Sequence, residues 1–166
     1  MKQASEEAII IRSELSQPLV NCVLLNCGKY VMQLRDEKPD INEPGRWGLF
    51  GGYREMFELP ERSVKRELRE ELGLDIRLRF CFALAYHNIF EGDISEEYDK
   101  IVLGEGQAYG SFTLDELCLM NTSKFSIRIL TMFEMIKNES SFAIFLLENL
   151  NMRVTDRKQG RLKERT

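Results

Sequence analysis

The stretch GGYREMFELPERSVKRELREELGL, from Gly51 to Leu74, decides how the chain is read. Its second half carries the marks of a helix over Pro60–Leu72. Pro60 suits the first helical position, where the missing N–H has no partner to lose, and Gly73 suits the left-handed stop just past the end. Val64, Leu68 and Leu72 recur every four residues and form the stripe that faces a core. At 100° per residue, Glu67, Glu70 and Glu71 fall within a wedge of roughly 100° beside that stripe. Spacings of three and four bring these like charges to about 5–6 Å between Cβ atoms, at a cost of a few tenths of a kcal/mol per pair. One reading is a solvated acidic face, because Glu61 with Lys65 and Arg66 with Glu70 offer i,i+4 ion pairs. The other is a hard divalent cation, which takes several oxygen ligands.

Upstream, the apolar runs Pro18–Leu25 and Lys29–Leu34 flank Asn26-Cys27-Gly28 and predict a β-hairpin. Asp36–Gly45 is polar, holds Pro39 and Pro44, and reads as a loop. Trp47–Phe50 resumes an apolar strand, which Gly51-Gly52 ends. Downstream, Asp75–Phe90 is rich in Ile, Leu, Phe and Tyr and predicts one or two strands. Glu91–Lys100 reads as a charged turn, Ile101–Leu103 as a short strand and Thr113–Leu117 as a capped helical turn. Ser123–Lys137 reads as a second amphipathic helix and Ser140–Met152 as a third. Strands, helix, strands, helix in that order predict an α/β fold, a mixed sheet covered by helices.

Composition narrows the function. The 166 residues suit one domain over 1–150 and a basic tail over 151–166. With 27 acidic and 23 basic side chains the formal charge is −4, which argues against a general nucleic-acid coat. That charge is uneven. The tail holds six basic and two acidic residues and is +4, leaving −8 for the rest. A solvated, frayed terminus is the plain reading of the tail, and contact with an anionic partner is the functional one. No apolar run reaches the ~18 residues of a membrane span. Met1–Glu7 is polar and has no signal-peptide core, so the expected location is the cytoplasm. Cys22, Cys27, Cys81 and Cys118 form no C-x-x-C pair, which disfavours a zinc site. The single histidine, His87, lies in the apolar stretch Phe80–Phe90 and reads as a strand-borne, hydrogen-bonded residue rather than a triad member.

The wider spacing separates the two readings of the acidic helix. Gly52, Glu58, Arg66, Glu67, Glu70, Glu71 and Gly73, with Leu68 and Leu74, read G-x5-E-x7-R-E-U-x-E-E-x-G-U, where U is aliphatic. With seven fixed residues at ~7% background each, a chance match in this length is on the order of 10⁻⁷. The pattern resembles the Nudix box of the Nudix (MutT-like) hydrolases. The resemblance runs from about Pro18 to Lys137 and implies an α/β/α sandwich whose box is a loop–helix–loop. It implies a hydrolase of phosphorus-containing acid anhydrides, a pyrophosphatase that uses Mg²⁺ or Mn²⁺. Glu70 and Glu71 take the metal-ligand positions, Glu67 that of a ligand or general base, and Gly51 that of a carbonyl ligand. Glu58 and Arg66 take the positions of the pair that holds loop to helix. Phe57 stands where the family usually has glycine, and Phe50 where proline is common. Leu103-Gly104-Glu105-Gly106-Gln107 resembles a later loop whose glutamate adds a metal ligand or acts as base, a role carried to Glu105. Arg35 matches a position that often contacts substrate phosphate, although Asp36 or Glu37 could equally hold it.

The substrate class is less marked. No proline follows Pro60, whereas ADP-ribose enzymes carry one past the box, and the flanking signatures of coenzyme A and NADH pyrophosphatases are missing. Trp47 and Phe50 are candidates to stack on a base, with Tyr86, Phe90 and Tyr109 behind them. Asn121 is a candidate to hydrogen-bond the base. The expected reaction is metal-dependent hydrolysis of a diphosphate bond in a nucleoside diphosphate derivative or nucleoside triphosphate. A nucleotide-sugar pyrophosphatase and a non-catalytic ligand sensor are the alternatives. The expected partner is a small nucleotide, with nucleic acid and membrane disfavoured. The apolar Phe142–Leu147 stretch offers a homodimer surface.

Overall fold

The computed structural model describes residues 19–149, and the side chains of residues 19–139. The basic tail and Phe142–Leu147 side chains lie outside that description. The chain divides into two compact units, Met1–Thr131 and Met132–Thr166, and the site lies in the first.

β1 (Leu19–Asn26) and β2 (Lys29–Leu34) form the predicted antiparallel hairpin, with Asn26 opposite Lys29. Cys27 (φ 49°) and Gly28 (φ 78°) both turn through the left-handed region, as a two-residue hairpin loop requires. β3 is only Trp47–Gly48, followed by helix α1 at Pro60–Leu72. The Asp75–Phe90 stretch resolves into two strands, β4 (Arg79–Leu84) and β5 (His87–Asp93). β5 runs three residues into the stretch expected to be a turn, where its partner β1 still offers hydrogen bonds as far as Leu25. A 3-10 turn follows at Tyr98–Lys100. The short strand expected at Ile101–Leu103 does not form. Val102 and Gly104 instead donate their N–H groups to the Leu72 and Glu71 carbonyls at the end of α1. The strand comes later, as β6 at Ala108–Phe112. Helix α2 (Leu114–Leu119) starts on a Thr113–Glu116 capping box. Helix α3 is one element over Lys124–Asn149 where two were expected, since no glycine or proline interrupts it.

The sheet has six strands and is mixed. β1 and β5 are parallel, and every other pairing is antiparallel. A strand has two hydrogen-bonding edges. β6 occupies one edge of β2 along its length, so β1 and β3 share the other. β1 and β2 therefore part beyond the hairpin, and residues 47–53 fill the gap. They pair first with β2 at Gln33 and Leu34, then with β1, where Val20 and Cys22 donate to the Gly52 and Phe50 carbonyls.

Both faces of the central strands β1, β2 and β5 are buried, since successive residues there point to opposite faces, whereas β4 and β6 have no buried residue. Val20, Cys22, Leu24, Val31 and Phe90 pack with Val64, Leu68 and Leu72 of α1, the stripe predicted for it. Their neighbours Val23, Tyr30, Met32 and Ile89 are buried too. Burial of side chains this size stabilises by ~1.5–3 kcal/mol each. α1 ends at Gly73 (φ 68°), where Gly73 and Leu74 donate to the Arg69 and Leu68 carbonyls.

Candidate active site

The box loop is built around Arg66. Its guanidinium donates to both carboxylate oxygens of Glu58 at 3.2 and 3.1 Å and to the Tyr53 carbonyl at 3.0 Å. Glu58 in turn accepts from the Glu55 amide and fastens the loop on itself. The Arg66 bond holds the Glu58 carboxyl below the usual carboxylate range. The predicted pairing of Glu58 with Arg66 is thus present. Phe57, which replaces the usual glycine, keeps a glycine-like backbone at φ 66° and leaves its ring 95% exposed.

The same guanidinium fixes two of the acidic residues. One nitrogen, Nη1, donates to Glu67 at 2.8 Å and to Glu70 at 3.1 Å. The three helix carboxylates nevertheless differ in setting. Glu70 is exposed, Glu67 half-buried and Glu71 only 5% exposed. Glu71 accepts from the Gly51 amide at 2.9 Å and from the Gln33 side chain at 3.3 Å. Burial is the main cause that pushes its carboxyl up to about 8, with Glu67 and Glu105 adding repulsion and the Gly51 bond opposing it. Burial also raises the Glu67 carboxyl, against the pull of Arg66.

Two glycines let the backbone approach. At Gly51 (φ 127°) a Cβ would lie 2.2 Å from the Val20 carbonyl oxygen. At Gly52 it would lie 2.8 Å from the Glu67 carboxylate. A side chain there would fill the space in front of Glu67.

Two cavities meet at the split in the sheet. A polar one of about 300 Å³ is lined by Glu67, Glu71 and Glu105 together with Arg35 and Lys38. A larger one, about 450 Å³, is lined by Asn21, Glu43, Tyr53, His87, Ser123 and Phe125 among others. Arg35, Gly51, Gly52 and Tyr53 line both. Arg35 is held by the Asn42 carbonyl at 2.9 Å, rather than by Asp36 or Glu37, and Asp36 pairs with Lys38. His87 is strand-borne and hydrogen-bonded as expected. Its Nδ1–H donates to Asn21 at 2.6 Å and its ring lies 4.1 Å from that of Phe125.

The predicted base-binding residues fall elsewhere. Phe50 is fully buried in the core beside α1, and Trp47 packs edge-on against Phe112 at 4.8 Å. Asn121 donates to the Gly45 carbonyl. None of the three lines either cavity. Phe50 alternates with Leu49 on a segment paired to β1, so its ring takes the core side. The aromatics that do line the larger cavity are Tyr53, His87 and Phe125. They come from three distant segments with no shared spacing, and only the position of Tyr53 next to Gly51-Gly52 hinted at its place.

A protein-family model described as NUDIX domain matches residues 15–116. The chain belongs to the Nudix family. No curated protein sequence matches it. The Nudix fold is borne out by solved structures. The MutT protein from Methanosarcina mazei is 23% identical, with a TM-score of 0.55 over 74% of this chain and 93% of that one. RenU, a Nudix hydrolase from M. smegmatis, is 17% identical, with a TM-score of 0.59 over 75% and 87%. The dihydroneopterin triphosphate pyrophosphohydrolase of E. coli is 18% identical, with a TM-score of 0.56 over 69% and 92%. This Nudix hydrolase carries the box residues intact. Nudix enzymes act on nucleoside diphosphate derivatives and generally use divalent cations. Among the described residues no three His, Cys, Asp or Glu side chains close on a ready-made metal site. The donor set still fits a hard cation. Three carboxylates line one cavity, one of them buried, and Gly52 keeps the space before Glu67 clear. No helix among the described residues is long and apolar enough to cross a membrane.

Proposed function

We propose that this Nudix hydrolase cleaves the diphosphate bond of a nucleoside triphosphate or nucleoside diphosphate derivative in the cytoplasm, with Mg²⁺ or Mn²⁺. The observation that carries this reading is the convergence of Glu67, Glu71 and Glu105 with Arg35 and Lys38 on one cavity, beside a second with aromatic walls. The smaller suits phosphates and cation, and the larger suits a nucleoside.

Glu67, Glu70, Glu71, Glu105 and the Gly51 carbonyl are the residues to hold the ion. When bound, the ion supplies charge neutralisation and a more acidic water. Arg35 and Lys38 bind the phosphate oxygens and take up charge as the leaving group departs. Glu67 or Glu105 takes the proton of the water that attacks phosphorus in line. Arg66 orients Glu67 and Glu70, and the Gly51 amide orients Glu71.

The test is product release from nucleoside triphosphates, ADP-ribose, nucleotide sugars and dinucleoside polyphosphates with Mg²⁺. Turnover of at least one is expected, and tight binding without turnover points instead to a ligand sensor. Glu70→Gln and Glu71→Gln are each expected to lower kcat by orders of magnitude with the circular dichroism spectrum unchanged. Near-normal turnover in both variants refutes the metal assignment.

A further inference from the structure

Gln33 lies near the C-terminal end of β2, two residues past Val31, and so on the sheet face that packs against α1. Its backbone is held from both sides, opposite Gly48 of β3 and Tyr109 of β6. The side chain is 5% exposed. A primary amide has two N–H donors. Nε2 of Gln33 donates to Glu71 at 3.3 Å and to the Glu105 carbonyl at 3.1 Å, so both donors are spent on the site.

The loop that carries Glu105 is clamped on each side of it. Before it, Gly104 donates to the Glu71 carbonyl at 2.8 Å, and a Cβ there would lie 2.0 Å from the Glu70 carbonyl oxygen. After it, Gly106 (φ 82°) leaves room for Gln33, whose Cγ would be 2.7 Å from an added Cβ. Gln107 then donates to the Leu34 carbonyl at 2.8 Å. Between these clamps the Gln33 amide is the direct link from the loop to a helix carboxylate.

We infer that Gln33 is a positioning residue that sets the distance between Glu71 on the helix and Glu105 on the loop, and so the geometry of the oxygen ligands they offer a divalent cation. This rests on the metal-dependent reading above and adds to it a residue outside the box. What separates it from a buried glutamine that is merely satisfied is that its two acceptors belong to the two residues whose spacing is at issue. Residues that orient metal ligands typically change metal affinity or activity 10–100-fold when removed.

Gln33→Met keeps the length and apolar stem and removes both donors. The measurement is Mn²⁺ binding to the free protein by electron paramagnetic resonance, with kcat alongside, in a cycle with Glu105→Gln. In the wild-type background Gln33→Met is expected to weaken Mn²⁺ binding at least about 10-fold. In the Glu105→Gln background that loss is expected to shrink, because the partner whose placement Gln33 sets is already gone. Equal losses in both backgrounds, or unchanged Mn²⁺ binding, overturn the inference. If Gln33→Met does not fold, Gln33→Asn enters the same cycle, since it keeps a polar amide but is one methylene too short to hold both partners. Mn²⁺ binding is read without substrate. A failure of the hydrolysis panel thus overturns the proposed reaction alone, and a failed cycle with intact turnover overturns the role of Gln33 alone.

Discussion

Glu71 and Glu70 are adjacent, yet one is buried and the other open to solvent. A step of 100° around the helix makes that difference, and the burial of Glu71 has a measurable consequence. An acid whose folded pKa is raised binds its proton more tightly when folded. Its contribution to stability is therefore full below its ordinary value of 4.5 and is lost as pH rises through about 8. Glu58 shifts the other way, and its contribution is lost only as pH falls below its ordinary range. His87, lowered by burial, favours folding as pH rises to its ordinary 6.5 and is constant above it. Between pH 6.5 and 8.5 the melting temperature of metal-free protein is expected to fall relative to Glu71→Gln. Parallel curves for the two proteins contradict this. At this scale the sequence was informative where the box fixes a residue type, as with the Glu58–Arg66 pair. It was silent on Gln33, because a polar residue in a strand resembles a solvent-facing one until the loop above it is known.

Among the elements, α1 was legible to the residue. Proline, apolar stripe and terminal glycine agree there. β6 was not, because Ala108-Tyr109-Gly110-Ser111-Phe112 is poor in β-branched residues and alternates weakly. The residues expected to form that strand, 101–103, serve α1 instead. They lead into a loop whose amides cap the helix, and Gly104 permits the contact. Gly104→Ala is expected to cost about 1–3 kcal/mol, the usual range for overpacking, because the new methyl meets backbone rather than a flexible side chain. Chemical denaturation reads that loss directly. A variant as stable as the parent shows that the loop does not buttress the helix. The aromatic candidates Trp47 and Phe50 teach the converse point. Strand aromatics more often fill a core than face a ligand, and alternation sends Phe50 inward.

Over the whole molecule, the family was legible because its signature lies within a short span of chain, whereas the larger cavity draws on segments from Leu19 to Ser126. No local pattern joins such positions, so the substrate was not legible. Repulsion from Glu67 and Glu105 acts on Glu71, and a cation held there as proposed would relieve it. Mn²⁺ at 100 times its dissociation constant is expected to stabilise the protein by about 2.7 kcal/mol, reversibly on chelation. An unchanged thermal midpoint with Mn²⁺ shows that the carboxylates hold no ion in the folded protein. The wedge of residues 47–53 has a further consequence, in time rather than in space. That segment bonds to β2 on one side and to β1 on the other. β1 itself is completed by β5, more than sixty residues away, a pairing whose loop closure is slow. Gly51 and the mouths of both cavities are therefore expected to form late in folding. Protection of the Val20 and Cys22 amides and the return of activity should rise together during refolding, the enzyme keeping its own clock of when it is complete.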